Sequence, residues 1–475
     1  MFVVQSLHGV DLLAECGEKC GVIGAAAREK NVAIDLYNGL IALQHRGQES
    51  AGISVFSGVS IYNKKAMGLV SHVFSEQELQ GFYGTVGIGH VRYSTTGSSV
   101  IENAQPFYLR GQKKKLAVAL NGNIVNYVEL KQELEQKGII FTTTTDTELI
   151  AQMLSLEMHE SEEENVFGAA KAVMEKLDGA YCVLALSSEG ELIAFRDPKG
   201  FKPLCLGKHG GDFVIASETC ALNIMDARLL KEIEPGEAVL IKDGVLESRK
   251  LFSEQTAHCM FEYVYFSRPD SVVNGVEVFK VREELGRTLA RMHGGKGIDV
   301  VVPVPDSGRS AAHGFAAESG LRFAEGLIKN RYIWRTFIMP DDSARKASIK
   351  LKLNPVRSLI EGKRVALVED SLVRGNTMGK IVSLLKETGA REVHVMISCP
   401  KIIAPCHMGI DFPTYRELAA AKNSVEEIRE KIGADSLNYM NIEGLVKAIG
   451  LPRESLCVAC LTDEYPTKQR PRITE

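Results

Sequence analysis

With 475 residues the chain is long enough for two or three domains, each with its own core, and its 45% apolar and 24% charged residues are those of an ordinary globular protein. A formal net charge of -4 removes any general electrostatic reason to bind nucleic acid or an anionic membrane. No apolar run reaches bilayer length, and His8 and Asp11 interrupt the stretch a signal peptide would need. The expectation is a cytoplasmic enzyme acting on small molecules. In that compartment its ten cysteines are thiols, metal ligands or nucleophiles, not a disulfide framework.

In chain order, Cys20-Gly21-Val22-Ile23-Gly24 sets a cysteine directly before a small apolar strand, and the spacing predicts a helix over Ala33 to Gln44. Strands are expected at Leu116 to Leu120, Tyr181 to Leu186, Leu192 to Phe195, Phe213 to Ala216 and Ala238 to Ile241, with helices at Tyr127 to Lys137 and Thr147 to Leu156. Thr142 to Thr145 and Glu162 to Glu164 read as solvated turns. That half suggests layered α+β, ending near residues 250 to 258. Beyond it, strands at Val300 to Val304, Arg364 to Val368 and Glu392 to Ser398 alternate with helices, which predicts a parallel sheet.

The segment Val365 to Thr377 carries the most chemistry. Its four apolar residues form a strand buried on both faces, Glu369 and Asp370 end that strand, and Gly375 to Thr377 lead into a helix over Met378 to Lys386. A helix N-terminus favours a phosphate, and paired acids accept hydrogen bonds from sugar hydroxyls, so the pattern fits a phosphorylated sugar. It has neither the lysine of a P-loop nor the glycine spacing of a dinucleotide fingerprint. The segment closely resembles the phosphoribosyl pyrophosphate (PRPP) motif of type I phosphoribosyltransferases.

Upstream, Cys20 to Gly24, Gln44 to Gly52, Gly89 to Thr95, Leu120 to Ile124 and Thr145 to Glu148 resemble, in this order, the glutamine amidotransferase domain of the N-terminal-nucleophile class. The resemblance implies a four-layer αββα domain over residues 20 to 252, a propeptide of residues 1 to 19, and Cys20 as nucleophile once its α-amine is freed to act as base. Cys16, also followed by glycine, lacks the strand directly after it. Arg92 is then expected to clamp the glutamine α-carboxylate and Asp146 its ammonium, with the side chain of Asn121 and the backbone N–H of Gly122 as oxyanion hole. Read singly, Asp146 could be a helix cap and Asn121-Gly122 a hairpin turn.

Glu262 to Ser271, Val302 to Gly308, Lys329 to Tyr332 and Arg335 to Ile338 are similar to segments of the glutamine PRPP amidotransferase family, so the resemblance runs from Cys20 to about Tyr465. It implies an α/β phosphoribosyltransferase domain over 258 to 475, with Ser307, Glu369 and Asp370 at one Mg²⁺ per subunit. PRPP would be held by Glu369, Asp370, Ser371, Val373, Arg374, Gly375, Asn376 and Thr377, with Arg331 and Arg335 on a closing loop that runs from Lys329 to Lys352 and includes Arg345, Lys346 and Lys350. The family's reaction makes 5-phosphoribosylamine, glutamate and pyrophosphate from glutamine and PRPP, at the start of purine synthesis. Purine nucleotides (AMP, GMP, ADP, GDP) as inhibitors and a homotetramer are implied in the same way. Glu369 stands where the family usually has aspartate, Asn376 where it has threonine and Trp334 where it has glycine, and Asp341 and Asp342 replace less acidic residues; these departures leave room for a variant with altered regulation or weak activity.

Cys457-Val458-Ala459-Cys460 could by itself bind zinc, serve redox chemistry or be accidental. The cluster-bearing branch of the family has cysteines at positions matching Cys259, Cys406, Cys457 and Cys460, which implies one [4Fe–4S] cluster per subunit, with zinc as the main alternative. Cys399, Cys182, Cys205 and Cys220 read as core residues. Two other readings compete with this one: a non-catalytic nucleotide-binding regulator on the same scaffold, against which the retention of Cys20, Arg92 and Asp146 argues, and another amidotransferase such as a hexosamine-phosphate or asparagine synthetase, against which the sugar-phosphate motif at Val365 to Thr377 argues.

Overall fold

Two antiparallel sheets make up the first half of the chain. One runs, in spatial order, Arg228–Glu232, Cys205–His209, Asp212–Ala216, Gly21–Ala26, Val86–Arg92, Ser50–Phe56 and Ile61–Met67; the other runs Val245–Lys250, Glu237–Lys242, Leu192–Arg196, Gly179–Ser187, Leu116–Ile124 and Phe107–Leu109. Alternation along each strand divides the side chains between two cores. Val22, Ile88, Ala117, Ala119, Leu184 and Ile215 meet between the sheets. Ile23, Ala25 and Val91 instead face the helix Ala33–Ala42, while Val118, Leu120 and Val183 face the helices Asp146–Glu160 and Val166–Lys176. The result is the expected αββα order of layers. The computed structural model describes residues 20–93, 99–110, 115–160, 166–330, 352–411 and 414–468.

After Val245–Lys250 the chain runs without regular structure to Ala257, then forms a short strand His258–Cys259 that lies parallel to Leu456–Cys457 near the far end of the chain. The second half is built on a four-stranded parallel sheet, ordered Val300–Pro303, Arg364–Glu369, Glu392–Ile397 and Ser436–Tyr439. Its central strands are apolar on both faces because helices, among them Val278–His293, Arg309–Ser319 and Asn376–Glu387, cover both sides. Among the described residues no helix is long and apolar enough to cross a membrane.

Three local expectations change. The helix from Ala33 stops at Ala42, and Gln44–Arg46 forms a 3-10 turn that carries Arg46 inward to buried carboxylates. Asn121 and Gly122 lie inside the strand Leu116–Ile124, paired with Cys182 and Tyr181, so they are not a hairpin turn. Thr143 and Thr145 are buried and bonded to one another, and Glu148 accepts from the backbone N–H groups of Thr142 (2.8 Å) and Thr143 (2.5 Å), so only alternate residues of that run face water.

The helices Val278–His293 and Arg309–Ser319 pack backbone to backbone at Gly286, where a Cβ would lie 1.8 Å from the carbonyl oxygen of Ala311. Gly286→Ala must push the helices apart. It is expected to cost about 1–3 kcal/mol in urea unfolding, and an unchanged midpoint would contradict this packing.

Candidate active sites

Cys20 sits just ahead of the strand Gly21–Ala26, whose register places Gly21 opposite Val91 and so Cys20 beside Arg92. Its Sγ donates to the carbonyl oxygen of Tyr93 at 3.5 Å, and no side chain among the described residues accepts from it. Burial pushes the thiol up to about 11, so the resting group is neutral. Arg92, Asp146 and Glu49 lie within electrostatic reach of it. The guanidinium of Arg92, itself buried, bonds Glu49 at 2.5 Å. Sequence reading missed Glu49, although it stands within the quoted Gln44 to Gly52 segment.

Asp146 begins the helix Asp146–Glu160, and its Oδ2 accepts from the backbone N–H of Ile124 at 3.3 Å. Burial pushes this carboxyl up to about 6, against the pull of the Ile124 amide and of Arg92. Asp146 is thus the first residue of its helix and not the cap before it, and its side chain is tied to the strand Leu116–Ile124. Across the sheet interface, His90, paired with Val22, bonds the carbonyl oxygen of Leu120 at 3.0 Å and so brings Asn121 opposite the start of the Cys20 strand. Both polar atoms of the Asn121 side chain are buried without a hydrogen-bond partner. A buried orphan amide costs free energy that a native fold normally avoids, which marks a position kept for a ligand. Gly122 follows, with its backbone so close to Ala180 that a Cβ would lie 1.9 Å from that carbonyl oxygen.

The second site forms where the strand Arg364–Glu369 ends. Gly375, at φ +79°, turns the chain into the helix Asn376–Glu387. The longer arm of glutamate at 369 folds back: Oε1 accepts from the backbone N–H of Asp370 at 3.0 Å and from Ser307 Oγ at 3.3 Å. Asp370 accepts from Ser371 Oγ, and Ser398 Oγ donates to the carbonyl oxygens of Glu369 and Asp370. Val373 has its side chain in the core and its carbonyl oxygen accepts from Ala419 N–H at 2.8 Å; Asn376 is exposed, and Arg374 bonds Glu417 at 2.8 Å. Two carboxylates beside a loop that opens a helix suit a cation, a sugar and its phosphate.

Cys259 and Cys457 pair in register, Cys460 follows in the turn Ala459–Thr462, and Cys406 packs with Cys457 against Phe201, Ala257 and Met408. The four thiols are within electrostatic reach of one another. Burial pushes Cys457 up to about 12 and Cys460 up as well, so without a cation these two thiols stay protonated. Among the described residues no three His, Cys, Asp or Glu side chains are spaced to hold a metal ion. Cys399, Cys182, Cys205 and Cys220 are buried. Arg331, Arg335, Trp334, Asp341, Asp342, Arg345, Lys346, Lys350, Ser94, Thr95, Cys16 and the rest of residues 1 to 19, and Glu162 to Glu164 lie outside the described residues.

Residues 90–223 match a glutamine amidotransferase domain family and residues 279–405 a phosphoribosyl transferase domain family. The amidophosphoribosyltransferase of Methanocaldococcus jannaschii is 50% identical over 466 residues, covering 94% of this chain and 98% of that protein. The amidophosphoribosyltransferase of Bacillus subtilis is 45% identical over 457 residues, covering 95% and 94%. Among solved structures, the glutamine PRPP amidotransferase of B. subtilis complexed with ADP and GMP aligns with a TM-score of 0.88 at 44% identity, over 94% of this chain and 98% of that one. An allosteric regulatory enzyme of purine biosynthesis aligns with a TM-score of 0.89 at 44% identity, covering 94% and 96%.

The raised Asp146 carboxyl has a consequence for stability. The folded chain holds this proton more tightly than the unfolded chain, so the group costs nothing below about pH 4 and destabilises fully above about pH 6. Asp146→Asn is therefore expected to gain about 2–3 kcal/mol in urea unfolding at pH 7.5 and nothing at pH 4. A gain of equal size at both pH values would refute the buried charge.

Proposed function

Because the chain belongs to the amidophosphoribosyltransferase family, we propose that it moves the amide nitrogen of glutamine to C1 of PRPP, giving 5-phosphoribosylamine, glutamate and pyrophosphate at the entry to purine synthesis. The observation that carries the residue assignments is the orphan amide of Asn121, next to the Leu120 carbonyl that His90 holds, together with a Cys20 thiol that no side chain among the described residues serves as base. Removal of residues 1 to 19 would supply that base as the α-amine of Cys20, a group that titrates near neutrality and stands beside its own Sγ.

Glutamine's α-carboxylate would take over Arg92 from Glu49, and Asp146, ionised above about pH 6, would hold the ammonium. The α-amine takes the Sγ proton as sulfur attacks the amide carbon, and the oxyanion is held by Asn121 Nδ2 and the backbone N–H of Gly122. The proton passes to the leaving nitrogen, ammonia departs, and water cleaves the γ-glutamyl thioester to glutamate. Ammonia must then reach PRPP without meeting bulk water, where it would become ammonium and lose its lone pair.

At the second site the loop Ser371 to Thr377 would hold the 5′-phosphate on the helix N-terminus, while Glu369 and Asp370 face the ribose hydroxyls. Arg331 and Arg335 would close over the pyrophosphate. Mg²⁺, held near Ser307, Glu369 and Asp370, would supply charge neutralisation for the pyrophosphate as it leaves. We assign Cys259, Cys406, Cys457 and Cys460 to one [4Fe–4S] cluster per subunit, tying the C-terminal segment to the middle of the chain. A cytoplasmic homotetramer inhibited by purine nucleotides completes the reading, supported by family membership and by the B. subtilis relative complexed with ADP and GMP.

The test is pyrophosphate release from PRPP. Cys20→Ala is expected to lose the glutamine-dependent rate and keep the ammonia-dependent rate, with active enzyme beginning at Cys20 by intact mass; no turnover with either nitrogen source would overturn the function. Anaerobically purified protein is expected to carry about four irons and four labile sulfides per chain, and stoichiometric zinc in their place would overturn the cluster.

A further inference from the structure

A charge cluster that the chemistry above does not use lies between the two halves. Arg46 is fully buried, and its guanidinium is spread over three acceptors. Nε donates to the carbonyl oxygen of Cys20 at 3.2 Å; Nη2 donates to Glu262 Oε1 and Oε2 at 2.9 and 3.1 Å; Nη1 donates to Glu262 Oε2 at 3.1 Å and to Glu218. Burial opposes this charge, yet Glu262 and Glu218 hold it above its ordinary range. Glu218 also accepts from His45 at 2.8 Å, Ser271 Oγ at 2.7 Å and the Arg268 backbone at 2.8 Å, while Glu262 accepts from Ser267 Oγ at 2.8 Å.

Glu262 belongs to the second half, in the π-helical turn Glu262–Phe266. That turn is gripped from the other side by Arg282, whose Nε donates to the carbonyl oxygen of Tyr263 at 2.9 Å and Nη2 to that of Ser267 at 2.6 Å. Arg282 is buried too, and after burial itself the largest influence on its charge is Asp370, at the sugar-phosphate strand end. A run of buried groups thus leads from Asp370 through Arg282, the turn and Glu262 to Arg46 and the backbone of Cys20.

We propose that Arg46 is a positioning residue for the glutamine half-reaction, and that Glu262 of the phosphoribosyltransferase half holds it in place; this rests on the reading of Cys20 as an N-terminal nucleophile. A terminal residue hangs on a single peptide plane, and fixing its carbonyl fixes that plane, hence the place of its Cα and the axis about which its amine and side chain turn. Arg46 fixes the carbonyl of Cys20 in this way, and with Sγ held to the carbonyl oxygen of Tyr93 the α-amine is anchored from both ends of the residue. The same turn also locates the substrate clamp, because Gly47 lies so close to Arg92 that a Cβ there would be 2.7 Å from its backbone. Misplacement of a reacting group by about 1 Å can cost on the order of 10²-fold in rate, and a displaced carbonyl would have that effect here.

Removing one charge alone would leave the others unpaired, so the decisive variant is Arg46→Met with Glu262→Met and Glu218→Gln, which removes the buried arginine together with both of its carboxylates, a change often neutral for stability. In the mature holoenzyme this triple variant is expected to keep ammonia-dependent pyrophosphate release within about two-fold and to lose on the order of 10²-fold in kcat for glutamate release, with KM for glutamine changed by less than about three-fold. Glu262→Gln, which keeps the shape and one acceptor, is expected to lose roughly ten-fold by the same measure. Glutamate release at the parental kcat overturns the proposal. So does joint loss of both rates, since the cluster would then serve the fold as a whole. If the parental enzyme turns over no PRPP with ammonia, the two-site function fails, and glutamate release alone still decides the role of Arg46.

Discussion

The guanidinium of Arg46 is a full charge removed from water, and the carboxylates that make this tolerable come from distant parts of the chain, Glu218 in the first half and Glu262 in the second. Such a group is costly to bury and worse to leave unpaired, by about 3–5 kcal/mol when one partner is lost. Neither half could therefore fold to this arrangement with Arg46 inside and its partner missing. The two halves are joined at this point, which lies one hydrogen bond from Cys20.

Around that constraint the two sites occupy strand ends, where backbone groups leave their ladders and become available to ligands. Cys20 precedes the first residue of a central antiparallel strand, and Glu369 is the last residue of a central parallel one, the usual place for a ligand in open α/β sheets. A single segment runs between them. Cys406 packs in the cysteine nest, the carbonyl oxygen of His407 accepts from Asn123 Nδ2 at 3.0 Å, Gly409 rests against Gly122, and Asp411 accepts from Tyr93 Oη at 3.4 Å. The cysteine nest is thus joined through His407 to the strand Leu116–Ile124, so its integrity bears on the geometry of Asn121 and Gly122.

Most of the elements were legible because their patterns are local. The strands at Leu116, Tyr181, Leu192, Val300, Arg364 and Glu392 follow from runs of apolar residues at strand spacing, and the helices from their longer period. Two local patterns are ambiguous for one cause. Asn121-Gly122 has hairpin chemistry when read singly, but its neighbours Leu120 and Ile124 have a sheet to continue; Thr142 to Thr145 reads as a solvated turn, but Glu148 in the first turn of the next helix folds back to cap its amides. In each case a partner that the local pattern could not name decided the outcome.

By itself the sequence determined the chemistry of the parts: a cysteine ahead of a strand, an arginine and an aspartate for an amino acid's two charges, two acids and a loop at a strand end, and four cysteines apart from the core ones. Those are properties of residue type and order. Tertiary structure alone decided that Arg92 rests on Glu49, that Glu369 turns its longer arm onto its own loop, that the Asn121 amide is left without a partner, and that Arg46, bonded to the carbonyl of Cys20, meets Glu262 across 216 residues of chain. The physical reason is that hydrogen bonding and charge burial depend on which groups share a dry volume. Local periodicity sets the faces of each element, but only the packing of the two halves brings those groups into the same space.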